Sequence, residues 1–319
     1  MIVTVTMNAA LDRTLTVPNF QRGQRHRASE KLTLAGGKGI TVARALKILG
    51  VPVVATGLAG GRNGRRILEE LAEEAILADF VRIEDESRTS TAVSDPTSGT
   101  FTEVMEWGPL VQESELDVLL EKLDYLARGA ELVVFAGTLP RGVADDFYAE
   151  AIRNLARRGV LTVLDAEGEP LRAGLEAEPF LVSPNRTEAE AVVGQEFSED
   201  GDFLDALERL EDLGARNALI TFERGCFASV RAERGQPKRF RAETPTVEAV
   251  SGVGAGAVLL AGFIAAWLEN ATPEDALRRA VAAGAASTLS VGAGRFDRED
   301  LGPLLPEVHV EELTAVASA

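Results

Sequence analysis

Two glycine clusters carry the strongest chemical signal in this chain of 319 residues. The first, Leu34-Ala35-Gly36-Gly37-Lys38-Gly39, lies where a β-leaning segment passes into a helix predicted to start near Ile40. Glycines let a ligand approach the backbone, a helix N-terminus offers unpaired N–H groups, and Lys38 adds a point charge, so the junction suits an anion. A bare tight turn would use the same residues, and the Walker A spacing is absent. The second cluster, Val250-Ser251-Gly252-Val253-Gly254-Ala255-Gly256-Ala257, opens an apolar helix that runs through Ala261, Phe263 and Trp267. Its N–H groups can form an anion hole for charge growing on a transferring phosphoryl group; close packing against a strand would also explain the small residues.

Other reactive side chains are sparse. Cys226 is the one cysteine, so no internal disulfide forms, and a reducing, cytoplasmic setting is expected. It reads as a small core thiol, because His26 and His309 lie far from each other and lack metal-ligand spacing. Fifty acidic residues against 33 basic ones give a net charge of -17, which argues against nucleic acid as a partner. An anionic ligand must then be caught by local donors rather than by the overall field.

These groups need a scaffold, and its outline is periodic. Short apolar runs (IVTVTM, VPVVATGLAG, ADFVRI, ELVVFAG, VLTVLDA, PFLVSPN, NALITFE) alternate with amphipathic segments at 39–49, 62–74, 113–126, 145–158 and 203–213. The alternation predicts an α/β fold with a mostly parallel sheet and helices on both faces. From Ser251 to about Val291 the chain is Ala-rich and helical, with Pro273 at a helix start after Thr272. The run Val258 to Trp267 is too short to span a bilayer, and the N-terminus shows neither a basic leader nor an anchor.

One stretch, Ser87 to Trp107, carries two β-leaning runs around Asp95-Pro96-Thr97-Ser98-Gly99 and reads as a hairpin. A second β-leaning piece spans roughly 15–34. The expectation is a single domain over 1–319 with inserts at about 15–34 and 87–107; these either pair into a small lid or remain two surface hairpins. The outer face of the hairpin shows no decisive apolar stripe.

GGKGITVARALKILG closely resembles the first signature of the PfkB, or ribokinase-type, carbohydrate kinases, and VSGVGAGAVLLAGF resembles the second. The likeness covers nearly the whole chain. TVTMNAALDRTL resembles the start of the hexose-phosphate branch, which includes 1-phosphofructokinase and tagatose-6-phosphate kinase; AGTLPRGVADDFY, LDAEGEPL and VSPNRTEAE are also similar. The resemblance implies a ribokinase-like fold, a β-sheet lid that often serves as a dimer interface, a sugar phosphate as acceptor, and ATP with Mg²⁺ as donor. It implies that Asp12 grips sugar hydroxyls and that Gly36, Gly37, Lys38 and Thr41 form the sugar-side turn. Arg88, unless it is an ordinary surface arginine, takes the lid position that reaches the substrate's phosphate. Asn185 and Glu188 match the NxxE element that positions magnesium and nucleotide phosphates, with Glu188 on the metal side; the same residues also make a sound helix start. Thr221 and Gly225 fall on the nucleotide side, and Gly254, Ala255 and Gly256 form the anion hole.

The sequence departs from this pattern at its most reactive position. The family motif reads GAGD, whereas here Gly254-Ala255-Gly256 is followed by Ala257, whose methyl group cannot accept a proton. Val258 follows where a small polar residue is usual, Thr41 stands for Asn, Ser183 for Lys and Glu223 for Gly. Phosphoryl transfer depends mainly on positioning and charge stabilisation, so loss of the base predicts a rate lower by roughly 10²- to 10⁴-fold rather than none. Two functions stand: a sugar-phosphate kinase with impaired proton removal, or a degenerate kinase that binds sugar phosphate or nucleotide as a sensor or partner.

Overall fold

A computed structural model describes residues 1–231, 236–244 and 247–313. Its strands are β1 (Ile2–Thr6), β2 (Ala10–Thr16), β3 (Glu30–Gly36), β4 (Val53–Gly60), β5 (Leu77–Ala78), β6 (Val81–Ile83), β7 (Arg88–Asp95) and β8 (Thr100–Met105). They continue with β9 (Leu132–Ala136), β10 (Leu161–Asp165), β11 (Leu181–Val182), β12 (Ala218–Phe222), β13 (Gly225–Val230), β14 (Lys238–Glu243) and β15 (His309–Leu313). The helices are α1 (Lys38–Ile48), α2 (Gly61–Glu73), α3 (Glu113–Leu126), α4 (Phe147–Ala156), α5 (Gly168–Leu175), α6 (Arg186–Val193), α7 (Asp200–Asp212), α8 (Ala255–Leu268), α9 (Pro273–Thr288) and α10 (Leu301–Leu304).

The large sheet runs β15-β14-β13-β12-β11-β10-β9-β1-β4-β5, with β6 also paired to β4. Its pairs are parallel from β5 through β12 and antiparallel from β12 to β15. Central strands are buried on both faces, which is why they read as continuous apolar runs. Leu132, Val134 and Ala136 face one core with α1, α8 and α9, while Val133 and Phe135 face the other with α3 and α4. The helix α8 shows no polar stripe because it is enclosed by α1, α9 and the sheet.

A second sheet of four strands, β3-β2-β7-β8, stands apart from the first. The two inserts therefore meet: β2 runs parallel to β7 with Asp12 opposite Ser90, and β3 and β8 extend the sheet on either side. Asp95 ties the pieces together, accepting the N–H groups of Asn19 (2.9 Å), Phe20 (3.0 Å) and Thr97 (2.9 Å) and the Ser98 hydroxyl (2.9 Å).

Several boundaries differ from the periodic reading. The first insert enters its sheet at Ala10 rather than near 15, because β2 continues almost directly from β1. The helix α1 starts at Lys38, two residues before Ile40, since Gly37 supplies the turn. ADFVRI splits into β5 and β6, PFLVSPN keeps only Leu181–Val182 as strand, and the Ala-rich stretch divides into α8 and α9. The strands β14 (KRFRAE) and β15 (HVEEL) escape the periodic reading, because these outer strands carry charged side chains and lack an apolar run. The hairpin's outer surface is more apolar than its pattern suggests: Val104, Met105 and Trp107 are exposed, Trp107 by 88%. No helix among the described residues is long and apolar enough to cross a membrane.

Candidate active site

The strand order reverses at β1, which lies between β9 and β4. In open α/β sheets a crevice forms outside the carboxyl ends of the strands at such a point. The chemistry-bearing residues gather there: Asn8 beyond β1, Gly137 beyond β9, Asp165 closing β10, Asn185 beyond β11 and Thr221 in β12. The start of α1 docks on the end of β1, where a Cβ at Gly39 would come within 2.4 Å of Thr6 Oγ1. Gly37, at φ +111°, takes a turn that side chains resist.

Asp12 occupies one side. Its carboxylate rests on Gly36 and lines a narrow crevice with Ser90, Glu103, Ser251 and Val253. Loss of hydration pushes its carboxyl up to about 6; Arg88 opposes that rise and Glu103 adds to it. Arg88 opens β7 opposite Ala10 and donates from Nε to the Asn8 carbonyl at 3.4 Å. Ser90 Oγ donates to Glu103 Oε1 at 2.7 Å.

A charged triad occupies the middle. Lys38 Nζ lies 2.8 Å from Asp165 Oδ1 and 2.8 Å from Glu188 Oε1. Burial alone would lower the lysine's pKa, but the two carboxylates outweigh it and hold the ammonium charged. Burial likewise pushes the Asp165 carboxyl up, with Lys38 restraining the shift and Glu188 adding to it. Glu188 is fixed by a reciprocal cap at the start of α6: Asn185 Oδ1 accepts the Glu188 N–H at 2.9 Å, and Glu188 Oε2 accepts the Asn185 N–H at 2.8 Å.

On the far side a cavity of about 720 Å³ is lined by Asn185, Thr221 and Gly225, and by the aromatic rings of Phe203 and Phe227. Two of its buried polar atoms, Arg241 Nε and Thr244 Oγ1, have no hydrogen-bond partner among the described residues. A ligand group supplies such partners. The turn before α8 separates this cavity from the crevice. Ser251 and Val253 line the crevice, whereas Gly252, Ala255 and Gly256 line the cavity. Gly254 makes the switch at φ +82°, where a Cβ would press on Ala293 and Thr41 at 3.0 and 3.1 Å.

Residues 3–300 match the model of the "pfkB family carbohydrate kinase". The chain belongs to the pfkB family. It is 32% identical to the 1-phosphofructokinase of Borreliella burgdorferi over 98% of this chain and 99% of that one. It is 27% identical to the tagatose-6-phosphate kinase of Staphylococcus epidermidis, over 98% and 100%. The structure resembles phosphofructokinase-2 from Escherichia coli in complex with fructose-6-phosphate, with TM-score 0.85 and 28% identity over 96% of this chain and 98% of that one.

Within this pfkB chain the candidate residues divide between two cavities and a bridge. Asp12 lines the crevice, with Gly36 against its carboxylate, Arg88 acting on its charge and Gly37 making the turn into α1, while Asn185, Thr221, Gly225, Ala255 and Gly256 line the larger cavity. Lys38 bridges the two: its ammonium is held by the buried carboxylates of Asp165 and Glu188. Thr41 is 3% exposed and donates from Oγ1 to the Gly37 carbonyl at 3.2 Å, so it braces the glycine turn. Ala257, in the first turn of α8, is buried against the core, and that turn carries no acidic residue.

Asp165 was missing from the sequence candidates, although it stands in the quoted LDAEGEPL at the end of a predicted strand, where functional carboxylates collect. Glu103 gave no local signal; only the pairing of β7 with β8 brings it beside Asp12. Asp165 and Glu188 are hard oxygen donors, and no group of three or more metal-ligating side chains exists among the described residues. Two carboxylates suit magnesium, which keeps several waters and takes further ligands from phosphates.

Proposed function

We propose that this chain is an ATP-dependent kinase of a sugar phosphate of the fructose 1-phosphate or tagatose 6-phosphate type, with proton removal impaired at Ala257. One observation carries the reading: the 251–256 segment at the start of α8 divides between the Asp12 crevice, lined by Ser251 and Val253, and the larger cavity, lined by Gly252, Ala255 and Gly256, so its backbone N–H groups lie between two ligand spaces. A donor phosphate on one side and an acceptor hydroxyl on the other would meet across that turn. The names of the relatives supply the substrate class.

In this reading Asp12 accepts hydrogen bonds from sugar hydroxyls and Arg88 faces the phosphate already on the sugar. Asn185, Thr221 and Gly225 line the space for ATP. Asp165 and Glu188 would hold magnesium, which would supply positive charge to offset that of the phosphates. Lys38 fixes the two carboxylates. The acceptor proton leaves without a dedicated base, since Ala257 offers none. Asp12 could take that proton only if the sugar shifted, since its place in the crevice suits binding.

A binding protein that no longer turns over is the second reading, favoured by the absence of any acid in the first turn of α8. Coupled ADP release with ATP, Mg²⁺ and a panel of fructose and tagatose phosphates separates the two. The expected result is slow turnover, rising by about 10²- to 10⁴-fold in Ala257→Asp. Turnover at roughly 1–100 s⁻¹ in the parent would show that another group serves as base. A parent at background that still binds both ligands by calorimetry would establish the second reading. No binding of either ligand would sink both.

The proposal includes a homodimer through the small sheet, supported by the exposed Val104, Met105 and Trp107 on and beyond its edge strand β8. Light scattering on the parent and on Val104→Asp checks it: the parent should run at twice the monomer mass and the variant as a monomer.

A further inference from the structure

Behind the sugar-side crevice, across Arg44, lies another cavity of about 710 Å³. Ile48, Ile76 and Phe296 give it an apolar floor, and Lys47, Arg295 and Arg298 a cationic rim. Both its size and its make-up match sites for small organic molecules. Two carboxylates also line it, and with Arg44 counted beside the three rim cations the lining stays net positive. Glu74 turns both oxygens to Arg44, at 2.5 Å from Nε and 2.8 Å from Nη2. Asp297 Oδ1 accepts the N–H of Glu299 at 2.9 Å. Among the described residues, neither Arg295 nor Arg298 forms an ion pair, and the Lys47 ammonium reaches only the Glu74 carbonyl. Three cations converging on one cavity stand out in a chain whose net charge is -17.

Arg44 joins this cavity to the crevice. It is 3% exposed, and besides Glu74 it donates to the Ala35 carbonyl at 2.8 Å and to the Ala293 carbonyl at 2.7 Å. Ala35 immediately precedes Gly36, on which the Asp12 carboxylate rests, and Ala293 lines the crevice itself. The guanidinium thus holds together the two segments that shape the crevice, and its carboxylate anchor faces the second cavity.

We propose that this cavity is a regulatory site for a small organic phosphate, and that its occupancy reaches the crevice through Arg44. Arg295 and Arg298 would take the phosphate oxygens, for which guanidinium forks are suited, and the apolar floor would take the organic part. A ligand that draws on the Glu74–Arg44 pair alters the hold on Ala35 and Ala293, and any such coupling acts equally in both directions. The inference needs no turnover and stands apart from the kinase reading.

Calorimetric titration of the full chain with phenyl phosphate and with inorganic phosphate tests the site, using the parent, Arg88→Ala and Arg295→Ala/Arg298→Ala. Both arginines of the double variant are exposed, and a thermal melt confirms that it folds. Phenyl phosphate should bind at least about tenfold more tightly than inorganic phosphate, lose at least about tenfold in the double variant, and be unaffected by Arg88→Ala. Hydrogen exchange should slow at residues 35–37 and 292–294 when phenyl phosphate binds the parent, and not in the double variant. Equal affinity in the parent and the double variant, or loss in Arg88→Ala alone, overturns the site. Equal affinity for the two probes overturns the organic ligand. Binding without altered exchange overturns the link through Arg44.

Discussion

The Asp12 carboxylate rests directly on Gly36, where a Cβ would come within 2.0 Å of Oδ2. Gly36 is therefore a floor for a functional side chain as well as part of a turn. Gly36→Ala should displace the carboxylate while leaving the core intact. The expected loss of affinity for fructose 1-phosphate is about tenfold or more, measured by calorimetry, with the ATP analogue bound as before. Equal affinity in the variant would show that Asp12 does not hold the sugar.

The same carboxylate sets a pH dependence. Its pKa rises from 3.8 to about 6 through lost hydration, so in the empty fold it takes up a proton below about pH 6. Sugar binding that uses the ionised form should be level above that value and weaken as pH falls through it, by up to about tenfold per unit. Stability runs the other way: a carboxyl with a raised pKa favours the fold at acid pH, and that contribution is lost as pH rises from about 4 through about 6. Asp12→Asn should remove both trends.

Lys38 neutralises two buried acids, and removing it exposes their cost. In Lys38→Met, Asp165 and Glu188 face each other without a counter-charge. The lysine is 37% exposed, so solvent softens the loss to about 1–3 kcal/mol, which a denaturant titration can resolve. The lysine's pKa is raised, so its contribution is full below 10.5 and disappears at more alkaline pH.

Asp95 reports on the small sheet. Burial disfavours its charge, but the N–H groups of Thr97, Asn19 and Phe20 and the Ser98 hydroxyl overcome that and hold its carboxyl at about 2. A depressed pKa stabilises the fold above the ordinary carboxylate value and is lost as pH falls toward 2. Between pH 4 and 2, hydrogen exchange at Asn19, Phe20 and Thr97 should accelerate before the large sheet opens. Asp95→Asn should show that faster exchange already at neutral pH.

Much of this protein was settled by local pattern. Central strands buried on both faces must be apolar runs, and the amphipathic helices beside them must repeat near 3.6 residues, so the α/β alternation was legible. The glycine clusters were legible for a similar reason: Gly37 and Gly254 take backbone angles that few other residues tolerate. Ala257 also needed no structure, since a methyl group accepts no proton anywhere. Tertiary structure decided the partners. The fold brings Asp165, at the end of β10, and Glu188, in the first turn of α6, to the Lys38 ammonium, a pairing that no local pattern records. Glu103 reaches Asp12 only through strand pairing, and Arg44 meets Ala293 across 249 positions of sequence. Pattern records which face of an element is buried. Which charge answers another depends on distances that only the folded chain sets.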